Sequence, residues 1–324
     1  MTDPAPTYGP RGPNILLMGV SGAGKTYSLS TLKEAGYKLA CIFTEPGADE
    51  SLLDGLNDKG LSLEDVHWHY CPPASSDWTA LKGRSQLVGL QTFESISKLK
   101  NVDKSKYLQL GNVIDVLANF TCQRTGKVIG PVDQLGPDWA LALDSLTGIN
   151  KMCMDLVRGG RPTMSPGEWG LAQDQEEMVL DTITSNTKCL FVCTSHIERE
   201  QDEVAGGMII TIASIGKKLG PRLPRFFGEG ILAYYEPAVG FRWSTSKTNF
   251  DLKNRLLPKA DNLEPSFVQI RDLWLKRYGL TKEQWHGQGP QQERQSVQST
   301  FSGGGGNASG TVVEVAGAGV GTPA

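Results

Sequence analysis

The sequence contains no long hydrophobic run, and none of its apolar stretches approaches the ~20 residues that a membrane-spanning helix needs. Its first thirteen residues, MTDPAPTYGPRGP, have neither the charged segment nor the apolar segment of a signal peptide. These two absences argue against a membrane-embedded protein and against a secreted one. We therefore expect a cytoplasmic protein with no membrane partner.

Cysteine and net charge are also low. The chain has six cysteines at scattered spacings with no C-x-x-C pair, and Cys41, Cys189 and Cys193 lie in apolar runs typical of buried, reduced thiols. Its net charge is −3, which excludes bulk electrostatic attraction to a polyanion. Any contact with nucleic acid must then come from a local basic patch.

The most informative motif lies between residues 14 and 32. Four apolar residues, Ile15 to Met18, predict a short buried strand, and they lead into GVSGAGKT, which has the P-loop spelling G-x-x-x-x-G-K-[ST]. Its glycines let the backbone wrap closely around an anion, so that N–H groups can point at phosphate oxygens. The residues predicted to cradle the phosphates are Gly19, Val20, Ser21, Gly22, Ala23, Gly24, Lys25 and Thr26.

Two side chains of this motif have more specific predicted roles. Lys25 would reach the β- and γ-phosphates, and the Thr26 hydroxyl would bind Mg²⁺. ATP and Mg²⁺ are therefore the predicted ligands. The alternative is a glycine-rich turn that matches by chance, which the apolar run before the motif and the helical pattern after it both disfavour.

The rest of the chain favours an α/β fold. Strand patterns alternate with helix patterns from Asn14 to Thr194, which predicts a mostly parallel central sheet flanked by helices, with ligands at the carboxyl ends of its strands. Later strand patterns predict an extension by antiparallel hairpins. Ser266–Tyr278 predicts an amphipathic helix whose core-facing positions are Phe267, Ile270, Leu273, Trp274 and Tyr278. The predicted strands after the first are Lys38–Thr44, Val66–Tyr70, Trp139–Leu143, Leu190–Thr194, Met208–Ile212, Ile231–Tyr235 and Phe241–Lys247.

Composition divides the chain into four parts. Residues 1–13 are rich in proline and glycine and predict a flexible lead-in, and residues 14–258 carry the motifs of a core domain. Residues 259–286 predict a C-terminal helical arm. Residues 287–324 are rich in Gln, Ser and Gly, a composition that predicts a disordered tail.

Two carboxylates are candidates for the chemistry. Asp144 directly follows the apolar run WALAL, where a Walker-B aspartate would bind Mg²⁺ together with Thr26. The next residue is Ser145 rather than glutamate, so a catalytic base must come from elsewhere. Glu45 is the best candidate, because it ends the strand that follows the P-loop helix. The alternatives are that Asp144 is an ordinary turn residue at the end of a strand and that Glu45 is a solvated loop carboxylate with no catalytic role.

The order of these features resembles the core of RecA-like recombinases. GVSGAGKT, Glu45, LALDS and CTSHIERE match a P-loop, a strand ending in the catalytic glutamate, a strand ending in Asp-Ser and a strand ending in a γ-phosphate sensor. The resemblance covers about Asn14 to Pro258 and implies a RecA-like P-loop NTPase fold. It places His196 at the sensor position, where recombinases have glutamine.

The resemblance also implies contacts with DNA and with a neighbouring subunit. Two loops would face single-stranded DNA, one within residues 158–167 and one within 199–225, with Trp169 or Phe226 stacking on bases. Lys247, or less well Lys253 or Arg255, would reach the γ-phosphate of a neighbouring subunit in a homo-oligomer. The basic residues predicted to contact DNA are Arg158, Arg161, Lys217, Lys218, Arg222 and Arg225.

Only about thirteen residues precede the first strand, so we expect no RecA-type polymerisation domain. This compact form is similar to phage-encoded RecA-core proteins of the single-strand-annealing type. That resemblance implies a location in the host cytoplasm and a single-strand-binding protein as a partner. The expected function is ATP binding and hydrolysis coupled to single-stranded DNA in recombination, replication or repair. The open alternatives are a nucleotide kinase, a DNA-packaging motor and a non-hydrolysing, nucleotide-dependent adaptor.

Overall fold

The strands of the fold are short and mostly apolar. A computed structural model describes residues 10–75, 77–92, 94–95, 105–159, 161, 163–201, 206, 208–216, 218–246 and 252–286. The strands are β1 (Asn14–Met18), β2 (Lys38–Phe43), β3 (Val66–Tyr70), β4 (Phe120–Thr121), β5 (Val128–Gly130), β6 (Trp139–Asp144), β7 (Leu190–Ser195), β8 (Ile197–Gln201), β9 (Met208–Ile212), β10 (Glu229–Glu236) and β11 (Gly240–Ser244).

Helices fill most of the connections between these strands. The α-helices are α1 (Lys25–Ser28), α2 (Ser30–Glu34), α3 (Ala48–Asp58), α4 (Trp78–Leu90), α5 (Gln109–Ala118), α6 (Leu146–Arg158), α7 (Pro166–Asn186), α8 (Phe267–Tyr278) and α9 (Lys282–Trp285). Short 3₁₀ helices lie at Ser105–Tyr107, Val132–Gln134 and Gly220–Phe226. Within the part of the chain that the structure describes, no helix combines the length and apolar character needed to cross a bilayer.

Seven strands form one central sheet in the order β11-β10-β1-β7-β6-β2-β3. Every neighbouring pair in this sheet is parallel except β10 with β11. Two further hairpins, β4–β5 and β8–β9, are antiparallel. The predicted α/β class, with a mostly parallel sheet, flanking helices and antiparallel hairpins, is confirmed.

The sheet is covered on both faces, because alternate residues of a strand point to opposite sides. Leu16 and Met18 of β1 belong to a core that includes residues of α5, α6 and α7. Ile15 and Leu17 belong to a second core that includes residues of α2, α3 and α8. Burial on both faces explains why the central strands are almost continuously apolar in sequence.

Three details differ from the sequence-based expectation. The late strand β10 pairs in parallel with β1, so only β11 extends the main sheet as an antiparallel strand. Strand β8 was not expected, and it overlaps the start of the segment 199–225 in which a basic loop was predicted; its sequence, IEREQ, has one apolar residue and so gives no strand pattern. Tyr278, expected to face the core, is exposed at the end of α8, where Gly279 adopts a left-handed conformation.

The sheet order determines where the motif residues meet. Strands β1, β7, β6 and β2 are parallel neighbours, so their carboxyl ends lie along one edge of the sheet. The P-loop follows β1, whereas the other three strands end next to His196, at Asp144 and next to Thr44 and Glu45. This edge is where ligands bind in open parallel sheets. The predicted domain boundaries stay a prediction, and residues 1–9 and 287–324 lie outside the described residues.

Candidate functional site

The glycine loop after β1 adopts a backbone that requires glycine. Gly22 and Gly24 have φ values of 75° and 79°, in the left-handed region that side chains disfavour. A Cβ atom on Gly19 would lie 2.5 Å from the Ala233 carbonyl oxygen, so no larger residue fits there. The Gly19 N–H donates to the Ser195 carbonyl at 3.1 Å, which ties the loop to β7.

The loop forms one wall of a cleft of about 260 Å³. The rest of its lining comes from residues after β2, from the end of β6 and the residue that follows it, and from His196 after β7. The cleft is lined by Ser21, Gly22, Ala23, Gly24, Lys25, Thr26, Tyr27, Glu45, Pro46, Gly47, Ala48, Ser51, Asp144, Ser145 and His196. The eight P-loop residues and His196 were predicted to bind or sense phosphate, and seven of these nine line the cleft. The other two, Gly19 and Val20, accept hydrogen bonds from Lys25 Nζ through their carbonyl oxygens.

Lys25 lies inside the curl of the loop. Its Nζ donates hydrogen bonds to the carbonyl oxygens of Gly19 and Val20, each at 2.9 Å, and the side chain is buried. Burial lowers the pKa of Lys25, while the nearby carboxylates of Asp144 and Glu45 act in the opposite direction. An amine placed here among main-chain carbonyls is available to pair with an anion that enters the cleft.

Thr26 and Asp144, the two predicted Mg²⁺ ligands, are in direct contact. The Thr26 hydroxyl donates to Asp144 Oδ2 at 2.6 Å, and the hydroxyl of Thr194 donates to the other carboxylate oxygen. Asp144 is only 3% exposed, and burial raises its pKa against the effect of both hydroxyls. A buried carboxylate beside a hydroxyl is an all-oxygen donor set that suits Mg²⁺. The positive charge of the ion would offset the free-energy cost of burying a charged aspartate.

Glu45 faces the same cleft from the end of β2. It accepts a hydrogen bond from the Ser145 hydroxyl and lies 3.5 Å from His196 Nε2. Hydrogen bonding from His196 is the largest cause that lowers the pKa of Glu45, with smaller contributions from Ser145 and Lys25, and partial burial opposes them. The site therefore contains an ionised carboxylate across the cleft from a lysine and a hydroxyl–carboxylate pair.

Thr44 fixes the position of these carboxylates, and the sequence did not single it out. Its hydroxyl donates to the Ser145 carbonyl at 2.8 Å and accepts from the Ser145 N–H at 2.9 Å. The Thr44 N–H donates to the Asp144 carbonyl at 2.7 Å. Thr44 and Thr194 share one sequence signal, a threonine at the polar end of a buried strand, which could have identified both.

The four arginines predicted to contact DNA all have carboxylate partners within the chain. Arg158 pairs with the buried Asp155 at 2.8 Å, and Arg161 pairs with Glu168. Arg222 and Arg225 both pair with Glu177 of α7, at 2.8 and 2.7 Å. These pairs lower the net positive charge of both segments, which the sequence pattern alone overestimates.

The remaining basic candidates are more scattered. Lys218 is exposed in a turn before the third 3₁₀ helix, whereas Lys217 and Lys247 lie outside the described residues. Lys253 donates to the Arg225 carbonyl at 3.3 Å, and burial lowers its pKa. The two residues predicted to stack on bases have different surroundings. Trp169 is partly exposed, whereas the Arg225 guanidinium lies over the Phe226 ring, 4.7 Å from its centroid.

Comparisons with known proteins add little to this geometry. No family model matches the sequence, and no curated protein matches it either. Among solved structures, the chain is similar to one described as a prototypical ATPase from the type III secretion system of pathogenic bacteria, with 13% identity and a TM-score of 0.31. The match covers 71% of this chain and 52% of that one, so it spans about half of the ATPase. A likeness at this level carries no argument about activity.

Proposed function

We propose that this protein binds ATP with Mg²⁺ and hydrolyses it. The observation that carries the proposal is the 2.6 Å contact between the Thr26 hydroxyl and the Asp144 carboxylate, since β1 and β6 are separated by β7 in the sheet. The fold thus joins a P-loop hydroxyl to a distant acidic residue beside a buried lysine. This combination suits a magnesium-bound triphosphate. A glycine-rich turn that matched the P-loop motif by chance would not need these residues together.

The side chains around the cleft suggest a division of work. The loop N–H groups and Lys25 would bind the phosphates and offset their charge. Thr26 and Asp144 would hold Mg²⁺, which when bound draws charge from the phosphate oxygens. Glu45, whose pKa is lowered by its neighbours, is ionised and can orient a water molecule and accept its proton. His196, which lies beside Glu45 in the cleft, can donate a hydrogen bond to the terminal phosphate.

Two substitutions separate binding from turnover. Lys25→Ala should abolish Mg²⁺-dependent ATP binding, because it removes the buried ammonium group that would pair with the phosphates. Glu45→Gln should keep binding and lower kcat by about 10²- to 10⁴-fold, the usual contribution of a general base. Calorimetric titration with a slowly hydrolysed ATP analogue and a phosphate-release assay measure the two effects.

The exposed Glu64→Gln provides a matched control for the loss of one carboxylate away from the cleft. Wild-type protein without Mg²⁺-dependent ATP affinity would overturn the proposal. Full hydrolysis by Glu45→Gln would remove Glu45 from the mechanism and leave the binding site intact.

We further propose single-stranded DNA as the polymer that stimulates turnover, in recombination, replication or repair. The support is the RecA-like order of motifs together with three basic residues on one segment: the exposed Lys218, and Arg222 and Arg225, which are half-exposed although both pair with Glu177. A homo-oligomer with Lys247 of a neighbour at the γ-phosphate, a phage origin and a single-strand-binding partner belong to the same proposal.

Phosphate release with and without an oligonucleotide, at two salt concentrations, tests the DNA part. Stimulation that falls as salt rises would support it, because counterions compete with basic side chains for phosphate. Hydrolysis without stimulation at either salt would overturn the DNA part alone. ATP binding without hydrolysis would favour a nucleotide-dependent adaptor, and phosphoryl transfer to a nucleoside monophosphate would favour a kinase.

A further inference from the structure

The β10–β11 hairpin carries two partly exposed aromatic rings. Tyr235 and Phe241 are direct cross-strand neighbours, with ring centroids 5.1 Å apart in an edge-to-face arrangement. Tyr235 is 57% exposed and Phe241 is 40% exposed. A paired aromatic surface of this kind leaves ring faces and edges open to a flat ligand.

This pair lies against the glycine loop. A Cβ atom on Gly24 would be 3.0 Å from Phe241 Cδ1, so the ring contacts the loop at the residue before Lys25. The topology explains the contact. Strand β10 is parallel to β1, with Leu232 opposite Met18, and its carboxyl end emerges at the same edge of the sheet as the loop. Residue 24 therefore cannot grow without displacing Phe241.

The aromatic pair and the carboxylates lie on opposite sides of the loop. Strands β7, β6 and β2, which lead to His196, Asp144 and Glu45, lie on one side of β1, whereas β10 and β11 lie on the other. A triphosphate with its terminal phosphate at Glu45 and His196 would extend its other end away from these residues. Within the central sheet, the β10–β11 hairpin lies on that side of β1.

We propose that Tyr235 and Phe241 form the platform on which the base of the bound nucleotide stacks. This inference rests on the proposed nucleotide site and adds the recognition of the base to that of the phosphates. Stacking uses the ring faces that every nucleobase has, and an aromatic surface beside a phosphate loop can bind the base and the triphosphate of one ligand together.

Comparison of Mg²⁺–ATP with Mg²⁺–tripolyphosphate tests the platform, because the second ligand has the phosphates without the base. Phe241→Ala and Tyr235→Ala should weaken ATP binding by roughly 5- to 150-fold, the range for loss of one base–aromatic stack. Tripolyphosphate affinity should stay at the wild-type value. Isothermal titration calorimetry gives both dissociation constants on the same preparations.

Two further variants make the result interpretable. Phe241→Leu keeps an apolar side chain against Gly24 but removes the ring, so it should also lose ATP affinity selectively. Tyr278→Ala removes a partly exposed aromatic residue of α8 that is paired with Trp274, and it should change neither affinity. Unchanged ATP affinity in the hairpin variants, or an equal loss for both ligands in Phe241→Leu and Tyr235→Ala, would overturn the platform. Wild-type binding of tripolyphosphate would show in either case that the phosphate site stands.

Discussion

At the scale of single residues, the site depends on what surrounds Glu45. This carboxylate touches the Ser145 hydroxyl and lies close to the His196 ring, and both contacts favour its ionised form. His196 is therefore suited to a second role besides contact with phosphate. We expect it also to extend to lower pH the range in which Glu45, the proposed base, is ionised.

The pH dependence of turnover should reveal this role. Glu45 has a pKa below its ordinary value of 4.5, so activity that needs its ionised form is lost only as the pH falls through that lowered pKa. His196→Gln removes the largest cause of the lowering, so the pKa of Glu45 should rise and the acidic limb of kcat should move to higher pH. Phosphate release across acidic pH, normalised to each variant's plateau, measures the position of the limb.

Ser145→Ala is the matched control, because it removes a smaller cause of the same shift. Its acidic limb should move in the same direction by less. An unmoved limb in His196→Gln would show that the histidine does not tune Glu45, whatever the variant's maximal rate.

The sequence predicted the site residues unevenly, for a physical reason. Lys25 and Thr26 follow from one local motif, and Asp144 follows from an apolar run that ends in an acid. Thr44 and Thr194 act through contacts that depend on the order β7-β6-β2, which no local pattern encodes. The ion pairs of Arg222 and Arg225 with Glu177 are also non-local, so the sequence suggested more free positive charge than the fold leaves.

At the scale of secondary-structure elements, the junction between β2 and α6 positions the carboxylates. Gly148 of α6 lies directly against Thr44, and a Cβ atom there would be 2.2 Å from the Thr44 hydroxyl oxygen. Glycine in a helix is otherwise unfavourable by about 1 kcal/mol relative to alanine. The close approach of helix and strand explains why glycine is found at this position.

The same substitution should therefore have opposite effects in two helices. Gly148→Ala should lower the free energy of unfolding by about 1–3 kcal/mol, because overpacking against Thr44 outweighs the gain in helix propensity. Gly170→Ala in α7 meets no atom of the described residues within 4 Å and should raise the free energy of unfolding by roughly 0.5–1 kcal/mol. Urea unfolding of both variants gives the comparison.

Turnover adds a second measurement to this pair. Because Thr44 binds the backbone of Ser145, its displacement in Gly148→Ala should also misplace Glu45 and lower kcat, whereas Gly170→Ala should leave kcat unchanged. A Gly148→Ala variant as stable as the wild type would mean that the helix can shift away from β2 at no cost.

Element prediction succeeded where burial gives a strong pattern. The central strands β1, β2, β6 and β7 lie within one residue of the predicted ranges, because strands buried on both faces read as apolar runs. Strand β8 escaped prediction because its polar residues are paired with β9 outside the main sheet. The parallel pairing of β10 with β1 depends on the path of the whole chain and has no local signal.

At the scale of the whole molecule, one buried acid links the central helices to the segment that follows β9. Glu176 of α7 is fully buried; it accepts the Ile215 N–H at 3.4 Å with one carboxylate oxygen, while the other has no hydrogen-bond partner among the described residues. Burial raises the pKa of Glu176 to about 8, and the neighbouring Glu177 acts in the same direction. The folded protein therefore holds this side chain protonated at neutral pH.

Stability should consequently fall as the pH rises. Between pH 4.5, the ordinary value, and about 8, the unfolded chain releases the proton of Glu176 while the folded chain retains it. The contribution of this group is complete below pH 4.5, declines by up to about 1.4 kcal/mol per pH unit across that window and is lost above the raised pKa. Glu176→Gln keeps an uncharged side chain of the same shape and removes this dependence.

Urea unfolding at several pH values from 5 to 9 compares the two proteins on this point. The difference in free energy of unfolding, Gln variant minus wild type, should become more positive as the pH rises and level off above the pKa of Glu176. The exposed Glu64→Gln controls for the loss of a surface carboxylate. If this difference in free energy of unfolding stays constant for Glu176→Gln across the pH range, the carboxyl of Glu176 has the same pKa in the folded and the unfolded chain. The contact between α7 and the segment after β9 would then not depend on a protonated Glu176.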